Sequence, residues 1–306
     1  VTNLVRILLV LVALEMFPSV VSAAERVIAV PISLRGNSPI VMVGIDGHDV
    51  PLIFDSGSSA TVSLSQAVLD LVHATPTGET SRGMDAKGNV ITYPKYRIPR
   101  IQIGEAVFLD VVAERDVHDP SYQATDLGQQ GFLGTGLLKP YRVVLDYRHR
   151  LLSLIPGADG EDQGRACAGT SVPFATQWHG EPVTEIETDL GILTVWWDTG
   201  APAMVLSRRF VQARQWTGSG DRLNTKGLLI GGKSYGPASF MIWDMSLPPG
   251  FDGFIGYQFF ARHRVCMDFP NQRLVIAQGP IVSPGSMSRN AAPAVVAPVR
   301  SISSRE

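Results

Sequence analysis

Two aspartates carry the clearest chemistry this sequence offers. "PLIFDSGSSATVSLS", residues 51 to 65, runs an apolar strand-forming stretch into Asp55 and then at once into small hydroxyl and glycine residues. "LTVWWDTGAPAMVLS", residues 193 to 207, repeats the phrase around Asp198. A single Asp-Ser-Gly is an ordinary turn. Two copies in matching contexts point instead to a pair of carboxylates meeting in space. Carboxylates at hydrogen-bonding distance cannot both ionise cheaply, so they share one proton and titrate as a pair. The ionised member can take a proton from water while the protonated member donates to a carbonyl oxygen.

The neighbouring residue types suit that task. Gly57 and Gly200 let backbone approach the carboxylates and offer N–H donors to their inner oxygens. Ser56 and Thr199 are placed to hydrogen-bond between the two loops. Ser58 is expected to bond the outer oxygen of Asp55, and its counterpart Ala201 has no hydroxyl, so the two acids are expected to differ in environment. Gly134 and Gly256, each after an apolar pair, would let a second strand thread closely behind the Asp loops.

The elements that position these residues are themselves repeated, which decides the architecture. "AVPIS" around Pro31 matches "SVPFA" around Pro173. "IVMVGIDGHDVPLIFD" reads as a hairpin turning at Asp46-Gly47, and "VTEIETDLGILTVWWD" as one turning near Asp189 to Gly191. "LSQAVLDLVHA" and "LSRRFVQARQW" follow the Asp phrases with helical spacing and a serine placed as N-cap. A third pair, from Gly131 and from Gly253, shares an apolar pair, glycine, strand, Asp-aromatic and closing strand in the same order. The halves are mostly β and span residues 26–156 and 170–278. A Gly-rich connector is expected at 157–169, and a disordered tail of Pro, Ala, Ser and Arg at 279–306.

Composition narrows the remaining classes. The chain has 306 residues and a formal net charge of −2, so no electrostatic feature favours nucleic acid as a partner. No zinc spacing or CxxC occurs, and no metal or cofactor is expected. Residues 1–24 read as a signal peptide, with Arg6, an apolar run and Val21-Ser22-Ala23 as the cleavage site. An exported bacterial protein, periplasmic or secreted, is therefore expected, touching membrane only if that segment stays uncleaved. Cys167 and Cys266 either pair in an oxidising compartment or remain buried thiols.

"DSGS", "DTGA" and the apolar-apolar-Gly phrases "FLG" and "FIG" resemble the pepsin and retropepsin superfamily of aspartic peptidases, over residues 27 to 277. The resemblance implies two β-barrel lobes with a cleft between them. It implies catalytic roles for Asp55 and Asp198, with Ser56, Gly57, Thr199 and Gly200 in support. An aspartic endopeptidase acting as a monomer on extended peptide or protein substrates is the expectation, with a non-catalytic peptide-binding protein as the alternative. Serine hydrolase chemistry is set aside: "GKSYG", residues 232 to 236, matches G-x-S-x-G, yet Pro237 and a strand-like run follow where a helix is required.

One insertion distinguishes the halves. From Asp55 to Gly131 is 76 residues, whereas Asp198 to Gly253 is only 55. Most of the surplus precedes Gly104 and includes "ETSRGMDAKGNVITYPKYRI", residues 79–98, which reads as a hairpin with a polar turn. Such a hairpin is expected to act as a flap over a substrate, with Tyr93 and Tyr96 as substrate-facing residues.

Overall fold

The structure, a computed structural model, describes residues 27–84, 88–117, 130–157, 167–177, 180–216, 218, 220–277 and 294–296. The segment read as a signal peptide, residues 158–166 of the connector and most of the tail lie outside the described residues. Ala294–Val296, inside the stretch read as a disordered tail, forms a strand parallel to Ala106–Arg115.

Strands dominate, and the repeat becomes a pseudo-twofold arrangement. Six strands form a sheet shared by the halves, in the order Gly169–Pro173, Arg273–Ala277, Val265–Asp268, Tyr141–Asp146, Leu151–Pro156, Ile28–Arg35. The second half supplies the first three strands and the first half the last three. The two innermost strands meet antiparallel, Cys266 opposite Val144 and Met267 opposite Val143. Their sequences are near-continuous apolar runs because both faces are covered. Asp146 and Asp268 close the equivalent turns, accepting the backbone N–H of His149 (3.0 Å) and of Asn271 (3.2 Å).

Each half then builds its own barrel-like lobe. In the first, Ser38–Ile45 and His48–Phe54 form the hairpin; its turn residues Asp46 and Gly47 both have positive φ, 45° and 87°. In the second, Glu181–Thr188 pairs with Gly191–Trp197. Val41, Val43, Leu52 and Phe54 in one lobe, and Ile186, Leu193, Val195 and Trp197 in the other, alternate inward and are almost wholly buried. The helix Gln66–Leu71 is capped by the Ser65 hydroxyl, which accepts from the Val68 N–H at 3.3 Å. Ser207 precedes the helix Arg208–Ala213 without capping it, its hydroxyl donating instead to the Met245 carbonyl (3.2 Å).

Cys167 and Cys266 form a disulfide with Cα atoms 5.5 Å apart. It ties the end of the connector to an innermost strand of the shared sheet. Cross-linking residues 99 apart contributes on the order of 4 kcal/mol on a chain-entropy estimate. Among the described residues no helix is long and apolar enough to cross a membrane.

Candidate active site

Both aspartates sit where a hairpin strand runs out. His48–Phe54 pairs in parallel with Gly131–Leu133, and Gly191–Trp197 pairs in parallel with Gly253–Ile255. The Asp55 N–H donates to the Leu133 carbonyl (2.9 Å) and the Asp198 N–H to the Ile255 carbonyl (3.0 Å). Each apolar-apolar-Gly phrase thus anchors the backbone of its aspartate. The glycine that ends each phrase has no room for a side chain. A Cβ on Gly134 would lie 2.3 Å from the Ala60 carbonyl oxygen, and one on Gly256 would lie 2.1 Å from that of Ala203.

The two loops are joined by four buried hydrogen bonds related by the pseudo-twofold. The Ser56 N–H donates to the Thr199 hydroxyl and the Thr199 N–H to the Ser56 hydroxyl, both at 3.0 Å. The Ser56 hydroxyl donates to the Trp197 carbonyl (2.5 Å), and that of Thr199 to the Phe54 carbonyl (2.6 Å). Ser56 and Thr199 are fully buried, so each unmade bond would carry a full desolvation penalty. Serine and threonine serve equally here because only the hydroxyl takes part.

Beyond this clasp the carboxylates meet. Their side chains hydrogen-bond to each other. Gly57 lies against Asp198, where an added Cβ would be 2.7 Å from its carboxyl carbon. Gly200 lies against Asp55, at 2.9 Å by the same measure. The glycines therefore permit the crossing of the two loops. Each also donates inward: the Gly57 N–H to Asp55 Oδ1 (2.9 Å) and the Gly200 N–H to Asp198 Oδ1 (2.8 Å).

The asymmetry runs opposite to the expected one. Among the described bonds, the Ser58 hydroxyl does not reach the Asp55 carboxylate. Ser58 takes part through its backbone instead, its N–H donating to the Asp55 carbonyl (3.2 Å) and its own carbonyl accepting from Thr135 (2.8 Å). Ala201 supplies what its missing hydroxyl was expected to withhold, because its N–H donates to Asp198 Oδ1 at 3.0 Å. Asp198 thus has two backbone donors and Asp55 has one. Burial raises both acids above the ordinary aspartate range. For Asp55 the charge of Asp198 and the bond to it add to the rise, and Glu181 adds more, with only Gly57 opposing. For Asp198 the bond from Asp55 and the N–H groups of Ala201 and Gly200 pull back down. The second backbone donor therefore favours the anion at Asp198 over the anion at Asp55.

Glu181 has no counterpart in the motif reading. It opens the strand Glu181–Thr188 and is nearly buried, and its charge reaches Asp55 across the lobes. The two tryptophans before Asp198 are structural. Trp197 is fully buried against Phe259 and donates to the Thr184 hydroxyl at 2.8 Å. Trp196 packs between Phe251 and Phe254.

The first-lobe insertion is a long hairpin, Thr75–Met84 against Val90–Ile103. It reaches the other lobe: a Cβ on Gly88 would lie 2.7 Å from Cβ of Ser246. Tyr93 and Tyr96 do not form a common substrate-facing surface. They are three residues apart on an extended strand and so point to opposite faces. Tyr93 is buried with its ring against Gly83, while Tyr96 packs against the lobe core.

The fold and the paired acids define an acid-protease-like chain of two lobes. Residues 41–137 match the aspartyl protease family. A solved structure of an aspartic proteinase from Irpex lacteus is similar over 84% of this chain and 99% of that one, with a TM-score of 0.54 and 11% identity. Comparison with curated proteins finds no match. Family match and fold together support an aspartic peptidase of the pepsin and retropepsin type.

Proposed function

We propose that this protein is an aspartic endopeptidase that hydrolyses peptide bonds with water activated between Asp55 and Asp198. The observation that carries the reading is the crossing of the two loops, each glycine seated against the opposite carboxylate. Such an approach costs stability, since two acids share one desolvated site, and is of use chiefly where one proton must be held between them.

In this reading Asp198, steadied as the anion by Gly200 and Ala201, takes a proton from water as the oxygen attacks the substrate carbonyl. Asp55 gives its proton to the carbonyl oxygen, and a tetrahedral diol forms. Collapse of the diol breaks the C–N bond, and the nitrogen leaves with the proton that Asp198 took from water. The return of a hydroxyl proton to Asp55 restores the starting state. The hairpin that reaches Ser246 would cover an extended peptide and offer it a strand edge. The disulfide and the apolar N-terminal segment support an exported protein, and the pseudo-twofold within one chain supports a monomer.

The test is turnover of a peptide library by the purified protein, with and without a statine-type inhibitor. Cleavage inside the peptides that the inhibitor blocks is expected. Tight binding of peptides without any cleavage, from acid to neutral pH, would establish the non-catalytic alternative instead.

A further inference from the structure

Away from the aspartates, four cations converge on a cavity of about 380 Å³ where the lobes adjoin. Arg148 comes from the turn after Tyr141–Asp146 in the first lobe. Lys233 comes from the tight turn after Leu228–Ile230, and Arg262 and Arg264 follow the short helix Tyr257–Phe260. His263 lines the same space. One carboxylate, Asp146, faces these groups, and it is held by the N–H of His149 and, at 2.9 Å, by His149 Nδ1. Arg148, Lys233 and Arg262 form no ion pair with another described residue. A chain of net charge −2 thus concentrates positive charge in one concave place.

His263 registers that field. Its Nδ1 lies 3.0 Å from the Phe259 carbonyl, leaving Nε2 as the nitrogen outside that bond. Burial first, then the charges of Arg262 and Lys233, push its protonation below the usual histidine range despite the bond to Phe259. An adjoining cavity of about 420 Å³ shares Tyr235, Arg262 and His263 and adds Arg222, so the basic surface continues. The "GKSYG" phrase finds its place here: Lys233 and Ser234 form half of a tight hairpin on the cavity wall.

We propose that this cavity binds a phosphate group, clasped by cations from both lobes. A guanidinium presents paired N–H donors that match two oxygens of a tetrahedral oxyanion, and Arg148, Lys233 and Arg262 together exceed what a single carboxylate could neutralise. The same chemistry would come from a free phosphate or from the phosphate of a lipid headgroup.

The test follows the His263 imidazole by NMR and the thermal transition, at constant ionic strength. One arm adds inorganic phosphate in place of chloride. The other adds vesicles of phosphatidylglycerol, with phosphatidylcholine as reference. Bound phosphate should raise the pKa of His263, since an anion offsets the charges of Arg262 and Lys233 that lower it, and should raise the melting temperature. Lys233→Gln combined with Arg262→Gln should weaken the response at least about tenfold. Arg209→Gln, an exposed arginine on the helix Arg208–Ala213 outside the cavity, should leave it unchanged. A response to phosphate assigns a free oxyanion, and a response to phosphatidylglycerol alone assigns a headgroup. No response in either arm, or equal losses in the cavity variant and Arg209→Gln, would overturn the site.

Discussion

The Asp55 and Asp198 loops share one scaffold and differ in what they give their acids. Each loop leaves a hairpin strand, is anchored by an apolar-apolar-Gly strand and places a glycine against the other carboxylate. Yet Asp198 receives two N–H donors and Asp55 one, and Glu181 acts on Asp55 alone among the causes of these shifts. A near-symmetric clasp thus gives its two acids unequal surroundings. Two lobes with identical surroundings would leave the proton equally on either acid, whereas the extra N–H at Asp198 and the charge of Glu181 on Asp55 both favour the anion at Asp198.

The largest effect tests the pair itself. Asp55→Asn and Asp198→Asn should each lower peptide turnover at least about a thousandfold, because neither acid alone supplies both proton transfers. Stability separates them. The folded pKa of Asp55 lies above its unfolded value, so its contribution is full at strongly acid pH and is lost as pH rises through the folded pKa. Asp55→Asn escapes that loss. Its melting temperature should exceed that of the wild type at neutral pH and approach it in strong acid, with a smaller gain for Asp198→Asn. A gain for Asp198→Asn that matches or exceeds that of Asp55→Asn would place the proton elsewhere.

Next in size is the crossing. Gly57→Ala would press a methyl against the carboxyl carbon of Asp198, and Gly200→Ala would do the same to Asp55. Neither glycine has a positive φ, so the cost is steric rather than conformational. Each change should destabilise by about 1–3 kcal/mol. Turnover should fall by about a hundredfold, since the displaced acids lose their alignment. Equal activity in either alanine variant would show that the acids need not approach so closely.

The lobes differ again in the hairpin that only the first carries at such length. Replacing residues 83–92 by a two-residue turn removes the reach to Ser246 while keeping the paired base of the hairpin. Turnover should fall by about tenfold or more, with the melting temperature little changed. Unchanged turnover would make the hairpin a surface feature without part in substrate handling.

Much of this was legible in the sequence, for reasons that differ by residue. The Asp phrases, hairpin turns and Ser65 cap are local, and local geometry follows from residue type and spacing. The contact between Asp55 and Asp198 was legible because the repeat implied a twofold that brings equivalent loops together. Other features depend on register between distant segments. Glu181 approaches Asp55 through the packing of a different strand, and no phrase around it announces that. Cys167 and Cys266 pair because the shared sheet brings their Cα atoms to 5.5 Å, which spacing alone left open. The cation-lined cavity gathers three separate segments, each unremarkable by itself. Tyr93 and Tyr96 lie on opposite faces by strand alternation, a rule that applies once the strand is known to be continuous through Pro94.

The smallest effect isolates the residue whose reading changed most. A hydroxyl immediately after the Ser56-Gly57 pair suggested a donor to the outer oxygen of Asp55. The loop instead turns Ser58 so that its backbone works: its N–H bonds the Asp55 carbonyl, and its carbonyl accepts from both the N–H and the hydroxyl of Thr135. Ala201 is the counterpart and does the same with its carbonyl, which accepts from the Tyr257 N–H at 3.1 Å. Alanine therefore already satisfies the backbone role at the equivalent position. Ser58→Ala should keep kcat/KM within about twofold of the wild type and leave the acid limb of the pH–rate profile in place. Loss of the Ser58 hydroxyl shifting that limb upward would mean that it does donate to Asp55 when substrate is bound. In that event the donor count would equalise, and the bias of the proton toward Asp55 would have to come from Glu181.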